Sequence, residues 1–196
     1  MEKSKNKNII YPPGDAGIWI IIYIELITFG LFFLGYVYSR RQDVELFNSS
    51  QLALNQTSGF INTILLITSS YFVIRAVHSI KTYEIKKASI YATRWLNAAI
   101  GLGGFFLIIK MSEFVTKYSQ GINLSTNKFF MFYFLLTVFH FLHVLLGMII
   151  LFNIKEKTKI QGYNKNDLKG MQTGASYWHM VDLLWIVLFP LIYIIR

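Results

Sequence analysis

The sequence predicts an all-α integral membrane protein, a bundle of five spanning helices with its N-terminus cytoplasmic and its C-terminus external. Three observations predict it. Of 196 residues, 54% are hydrophobic and only 15% charged, whereas a soluble domain carries roughly 25% charged residues. Five segments, 17–38, 59–80, 95–116, 129–152 and 175–195, reach the length of about 20 apolar residues that a spanning helix needs. Lys and Arg are shared unequally between the loops on the two sides, which orients the bundle.

The N-terminal segment 1–16 carries Lys3, Lys5 and Lys7 and runs into Tyr11-Pro12-Pro13-Gly14-Asp15. It lacks the short apolar run and small-residue cleavage site of a secretory signal, so no cleavage is expected. The first apolar segment contains one formally charged residue, Glu25, and the second contains Arg75 together with His78. The third contains Lys110 and Glu113, together with Ala98, Ala99, Gly101, Gly103 and Gly104, small residues that let a neighbouring helix approach closely. His140 and His143 lie in the fourth, His179 and Asp182 in the fifth.

Twelve Lys and Arg residues fall in the N-terminal segment and the second and fourth loops, against five in the first loop, the third loop and at Arg196. The positive-inside rule then places the N-terminus in the cytoplasm. That asymmetry absorbs the net charge of +9, so no nucleic-acid partner is expected. With no cysteine there is no disulfide framework, thiolate nucleophile or thiolate-bound metal. The loops, read as about 12–22 residues, leave no room for a second domain. Neither an internal repeat nor an inverted pair of broken helices is present, which argues against a free-standing transporter.

Ionisable groups at membrane depth are costly and mark functional or packed sites. Counting about 1.5 Å per residue from the cytoplasmic end of each segment, Glu25, His143 and Asp182 all lie about 11–14 Å deep. The spacing therefore predicts one polar layer, with a hydrogen bond between Glu25 and His143, and with Arg75 and His179 in a second layer beneath. Lys110 and Glu113 are three apart on one helix face, which permits either an ion pair or two side chains snorkelling to the external surface. His179 and Asp182 share that spacing and, beside Tyr177, Trp178 and Trp185, read as an interfacial aromatic belt with a polar anchor. Bis-histidine haem ligation is disfavoured, because His140 and His143 share one face and His179 lies about 6 Å shallower than His143.

Several ordered motifs resemble subunit III of the haem–copper oxidases. They are Trp178-His179-Met180-Val181-Asp182-Leu183-Leu184-Trp185, His140-x-x-His143 followed by Gly147, Ile24-Glu25-Leu26, Asn62-Thr63 and Ser112-Glu113-Phe114. Within that family, Pro13-Gly14-Asp15-x-Gly17-Ile18-Trp19, Val44-Glu45-Leu46-Phe47, Lys110 and Phe129-Phe130-Met131-Phe132-Tyr133 resemble the short five-helix branch called nitric oxide reductase activation proteins. The resemblance implies a bacterial inner-membrane subunit without catalytic residues, metal or redox cofactor of its own. It would pack beside a catalytic subunit holding haem and copper or iron, in a cytochrome c or quinol oxidase or a nitric oxide reductase, and would support that subunit's proton uptake and stability. It also implies contact with phospholipid, without the cleft that two further N-terminal helices provide. Glu25 matches the family's carbodiimide-reactive carboxylate and His143 its partner, while His140, Glu113, His179 and Asp182 match motif positions with structural roles.

Overall fold

A computed structural model describes residues 13–195. The N-terminal lysines and Arg196, used above for orientation, lie outside the described residues. The chain forms α1 (Ala16–Gln42), α2 (Val44–Gln51), α3 (Gln56–Thr82), α4 (Ile85–Ser119), α5 (Lys128–Lys159) and α6 (Lys169–Phe189), closed by a π turn at Pro190–Ile194. Five of these elements are long and apolar enough to cross a membrane, with α6 and the π turn continuous as Lys169–Ile194. No strand occurs among the described residues.

The helices run past the apolar segments that identify them. α4 begins at Ile85 rather than Trp95, and only Tyr83 and Glu84 separate it from α3, so the second loop is a tight hairpin and not a long connection. A 35-residue helix is about 52 Å long, well beyond an apolar core of about 30 Å, and its polar first turns stand outside that core. They still pack: Ser89 on α4 donates to the carbonyl of Thr158 on α5 at 2.6 Å. The ends of α3 and α5 are set locally, where Asn55 accepts from the Ser58 amide at 3.1 Å and Asn127 from the Phe130 amide at 2.9 Å.

α6 is the centre of the bundle. It packs against α1, α3 and α5, and 56% of its most apolar stretch is buried, against 17% for α1. Inside a membrane helix association rests on close van der Waals packing rather than water exclusion, and the fit around Trp178 illustrates it. A Cβ at Gly147 would stand 2.8 Å from the Trp178 ring and one at Gly103 would stand 3.0 Å from it, so α5 and α4 present bare backbone to the indole. Trp178 and Trp185 are buried, and Trp185 Nε1 donates to Thr63 Oγ1 at 2.9 Å. The expected interfacial belt is therefore a core element, because the aromatic face of α6 turns towards α3, α4 and α5.

Two features outside the spans close the ends. At the start of α1, Gly14 has φ +97 and stands where a Cβ would be 3.0 Å from the Thr173 backbone. The Asp15 amide donates to Thr173 Oγ1 at 2.9 Å, and Lys169 lies 2.8 Å from the Asp15 carboxylate. The Lys169 hydrogen bond and its positive charge hold Asp15 below the ordinary carboxylate value. At the other end α2, eight residues too short to register as a span, buries Phe47 and Gln51. Gln51 Nε2 donates to the carbonyls of Ile192 at 2.8 Å and Ile195 at 3.2 Å, and Gln56 Nε2 donates to that of Tyr193 at 2.7 Å. These amides satisfy carbonyls that the C-terminal turn leaves open.

Candidate functional site

Glu25 on α1 and His143 on α5 meet, with Oε2 and Nε2 3.1 Å apart. His143 Nδ1 lies 2.7 Å from the Phe139 carbonyl, four residues back. A carbonyl only accepts, so Nδ1 carries hydrogen and Nε2 is left to face the carboxyl oxygen. Two lone pairs do not attract, and the contact needs one proton between them, either on the imidazole as an ion pair or on Glu25 as an acid. Phe29 and Phe139 enclose the imidazole at 5.5 and 4.7 Å. The side chains keep 23% (Glu25) and 11% (His143) exposure, so the pair opens sideways from the bundle.

Asp182 is not part of that pair. Its Oδ2 lies 3.7 Å from His179 Nδ1, the same nitrogen that Ser70 Oγ meets at 2.5 Å. Equal depth fixes height but not rotation about the helix axis, and α6 turns Asp182 to its own neighbour. Serine and aspartate approaching one nitrogen cannot relay a proton across the imidazole, which a catalytic triad requires. The Arg75 guanidinium lies 5.3 Å over the Trp95 ring on α4, and among the described residues it makes no hydrogen bond or ion pair with His179. His140 is fully buried between Trp185, at 5.1 Å, and Phe106, at 5.8 Å, and neither ring nitrogen has a partner among the described residues.

The second cluster is the most enclosed. Lys110 is completely buried, and its Nζ lies 3.2 Å from Glu113 Oε2 and 2.5 Å from the Tyr193 hydroxyl. Glu113 Oε1 accepts from Tyr133 at 2.8 Å and Tyr193 at 2.7 Å. The rings of Phe114, Tyr133, Trp185 and Tyr193 all stand 5.0–5.4 Å from the ammonium, a cation–π cage. Lys110 and Glu113 thus form an ion pair and do not snorkel. Both tyrosines lie outside the polar set read from the sequence. Tyr133 ends the run Phe129-Phe130-Met131-Phe132-Tyr133, but no local signal ties the hydroxyl of Tyr193 to a lysine 83 residues earlier.

Chemically, the cluster at Lys110 is closed and fully hydrogen-bonded, whereas the pair at Glu25 holds a proton and faces outward. Among the described residues no group of three or more His, Cys, Asp or Glu is placed to hold a metal ion.

A family model described as cytochrome c oxidase subunit III matches residues 15–196. Cytochrome c oxidase subunit 3 of Thermostichus vulcanus is 30% identical over 189 residues, covering 91% of this chain and 86% of the relative. A probable quinol oxidase subunit 3 of Staphylococcus saprophyticus is 26% identical over 189 residues, covering 93% and 89%. Cytochrome bo(3) ubiquinol oxidase subunit 3 of Buchnera aphidicola is 26% identical over 179 residues, covering 91% and 84%.

Proposed function

The chain belongs to the cytochrome c oxidase subunit III family, a multi-pass membrane protein family, and from that premise we propose that it is a non-catalytic subunit of a bacterial haem–copper respiratory oxidase. Its N-terminus faces the cytoplasm across the plasma membrane, as the Lys and Arg distribution indicates. Haem and copper belong to the partner catalytic subunit, which carries out oxygen reduction. This chain supplies a packing surface and supports proton uptake and longevity of that partner. An oxygen-reducing partner is preferred to a nitric oxide reductase because the relatives matched are named for cytochrome c and quinol oxidases.

The observation that supports a proton-linked role is the 3.1 Å contact between Glu25 and His143. With Nδ1 committed to a backbone carbonyl, the pair holds one exchangeable proton at membrane depth, on the outer side of the bundle. The fully buried Lys110–Glu113 cluster has no such opening and acts as a structural clamp on the C-terminal turn. Affinity purification in mild detergent tests the assignment. A subunit brings down a haem-containing partner with a Soret band and shows no transport alone in liposomes. Recovery without haem, together with solute or proton flux by the isolated chain, would contradict it.

A further inference from the structure

Two polar side chains at the centre of the bundle take no part in the clusters above. Asn62 on α3 and His140 on α5 are completely buried. Among the described residues neither the Asn62 atoms Nδ2 and Oδ1 nor the His140 atoms Nδ1 and Nε2 have a hydrogen-bond partner. Their polar neighbours are paired: Ser69 donates to the Ala99 carbonyl at 2.9 Å, Thr137 to the Tyr133 carbonyl at 2.6 Å and Trp185 Nε1 to Thr63 Oγ1 at 2.9 Å. A buried amide or imidazole is costly without a partner, and in stable proteins it finds one in the chain or in ordered water.

The fold brings the unpaired atoms to one level. α3 and α4 form an antiparallel hairpin whose register is fixed by the bond from Ser69 to Ala99, so Asn62, seven residues from Ser69, stands level with Phe106, seven residues from Ala99. The Phe106 ring lies 5.8 Å from His140 and 5.0 Å from Trp185, and the His140 and Trp185 rings are 5.1 Å apart. Trp185 reaches back to Thr63, the chain neighbour of Asn62. Asn62, Phe106, His140 and Trp185 therefore make one layer, with a side chain from each of α3, α4, α5 and α6.

The chemistry of the layer defines what would satisfy it. Asn62 presents both donors and an acceptor, and a neutral imidazole presents one of each. The charges one helical turn away are already matched, Lys110 with Glu113 and His143 with Glu25, so the layer calls for a neutral ligand that both donates and accepts and is small enough for a packed interior. Water has those properties. We propose that an ordered water is bound at this layer, bridging the Asn62 amide and the His140 imidazole and joining α3 to α5. Because α4 and α5 are antiparallel, Lys110 and His143 lie on opposite sides of the layer, and the water stands between the two charged clusters.

Solid-state NMR of the full chain in lipid bilayers, with isotope-labelled histidine, tests the proposal. Magnetisation transfer from water to the ring nitrogens is expected at His140 in spite of its burial, the resonance being identified by its loss in His140→Phe. Asn62→Leu, similar in volume but unable to hydrogen-bond, is expected to abolish that transfer and to leave the His143 signals in place. Thermal unfolding gives a second readout: His140→Phe and Asn62→Leu each lower the midpoint by about 2–4 °C, and the double variant loses little more than either alone, because the first substitution has already released the shared water. Absence of water transfer at His140 in the wild type would overturn the site, whether or not a variant folds. A higher midpoint in both apolar variants, or strictly additive losses, would overturn the bridge.

Discussion

Glu25 Oε2 and His143 Nε2 stand 3.1 Å apart while His143 Nδ1 faces the Phe139 carbonyl at 2.7 Å, so one proton is shared between a carboxyl and an imidazole on different helices. Removing one partner leaves the other unsatisfied at membrane depth. Glu25→Ala is expected to destabilise the detergent-solubilised protein by about 1–3 kcal/mol. Glu25→Gln, whose amide can still donate to Nε2, is expected to recover most of that loss. Thermal unfolding of Glu25→Ala, His143→Phe and the double variant checks it, and the pair requires a non-zero coupling energy.

Lys110 and Glu113 make a sharper case, since Lys110 has no exposure at all. Lys110→Met leaves Glu113 with two tyrosine donors and no cation, and is expected to cost about 3–5 kcal/mol. Adding Glu113→Gln to it should restore part of the stability, because the uncompensated charge is gone. Tyr193→Phe removes one donor to Glu113 and one acceptor of Lys110, and should cost about 1–3 kcal/mol. The test is the midpoint and amplitude of unfolding in mild detergent.

The glycines of α4 and α5 separate close packing from mere smallness. A Cβ at Gly147 meets the Trp178 ring at 2.8 Å, whereas Gly101 and Gly104 have nothing within 4 Å. Gly147→Ala is expected to destabilise by about 1–3 kcal/mol. Gly101→Ala and Gly104→Ala should be neutral or stabilising by up to about 1 kcal/mol, since alanine is the better helix former. Parallel thermal melts of the three variants distinguish them.

Asp15 provides a pH signature outside the membrane. Lys169 lowers its folded-state value, so the carboxylate stabilises the fold above its unfolded value and that contribution is lost as pH falls through the folded one. Asp15→Asn is expected to melt below wild type at neutral pH and to converge with it in acid. Melting curves of both proteins from neutral pH into the acid range check the sign.

Each feature is legible in the sequence to the extent that it depends on local residues. The five spans depend on local apolar length, and the sequence displays that directly. Their true ends do not: the polar first turns of α4 are helical because Ser89 and its neighbours find α5, a tertiary fact. α2 does not stand out in the sequence because its eight residues fall far short of the roughly 20 apolar residues that mark a span. Depth counting put Glu25 and His143 at one height, where the helices have them in contact, but the same counting included Asp182, whose azimuth turns it to His179. The burial of Lys110 was out of reach, since it rests on Tyr133 and Tyr193 arriving from two other elements.

The most direct test of the proposed role is proton uptake by the reconstituted oxidase complex, measured with wild-type chain and with Glu25→Gln. The variant is expected to assemble normally, with unchanged haem content, and to slow proton uptake and shorten the active lifetime of the complex under turnover. Uptake and lifetime indistinguishable from wild type, in a complex of full subunit content, would contradict it.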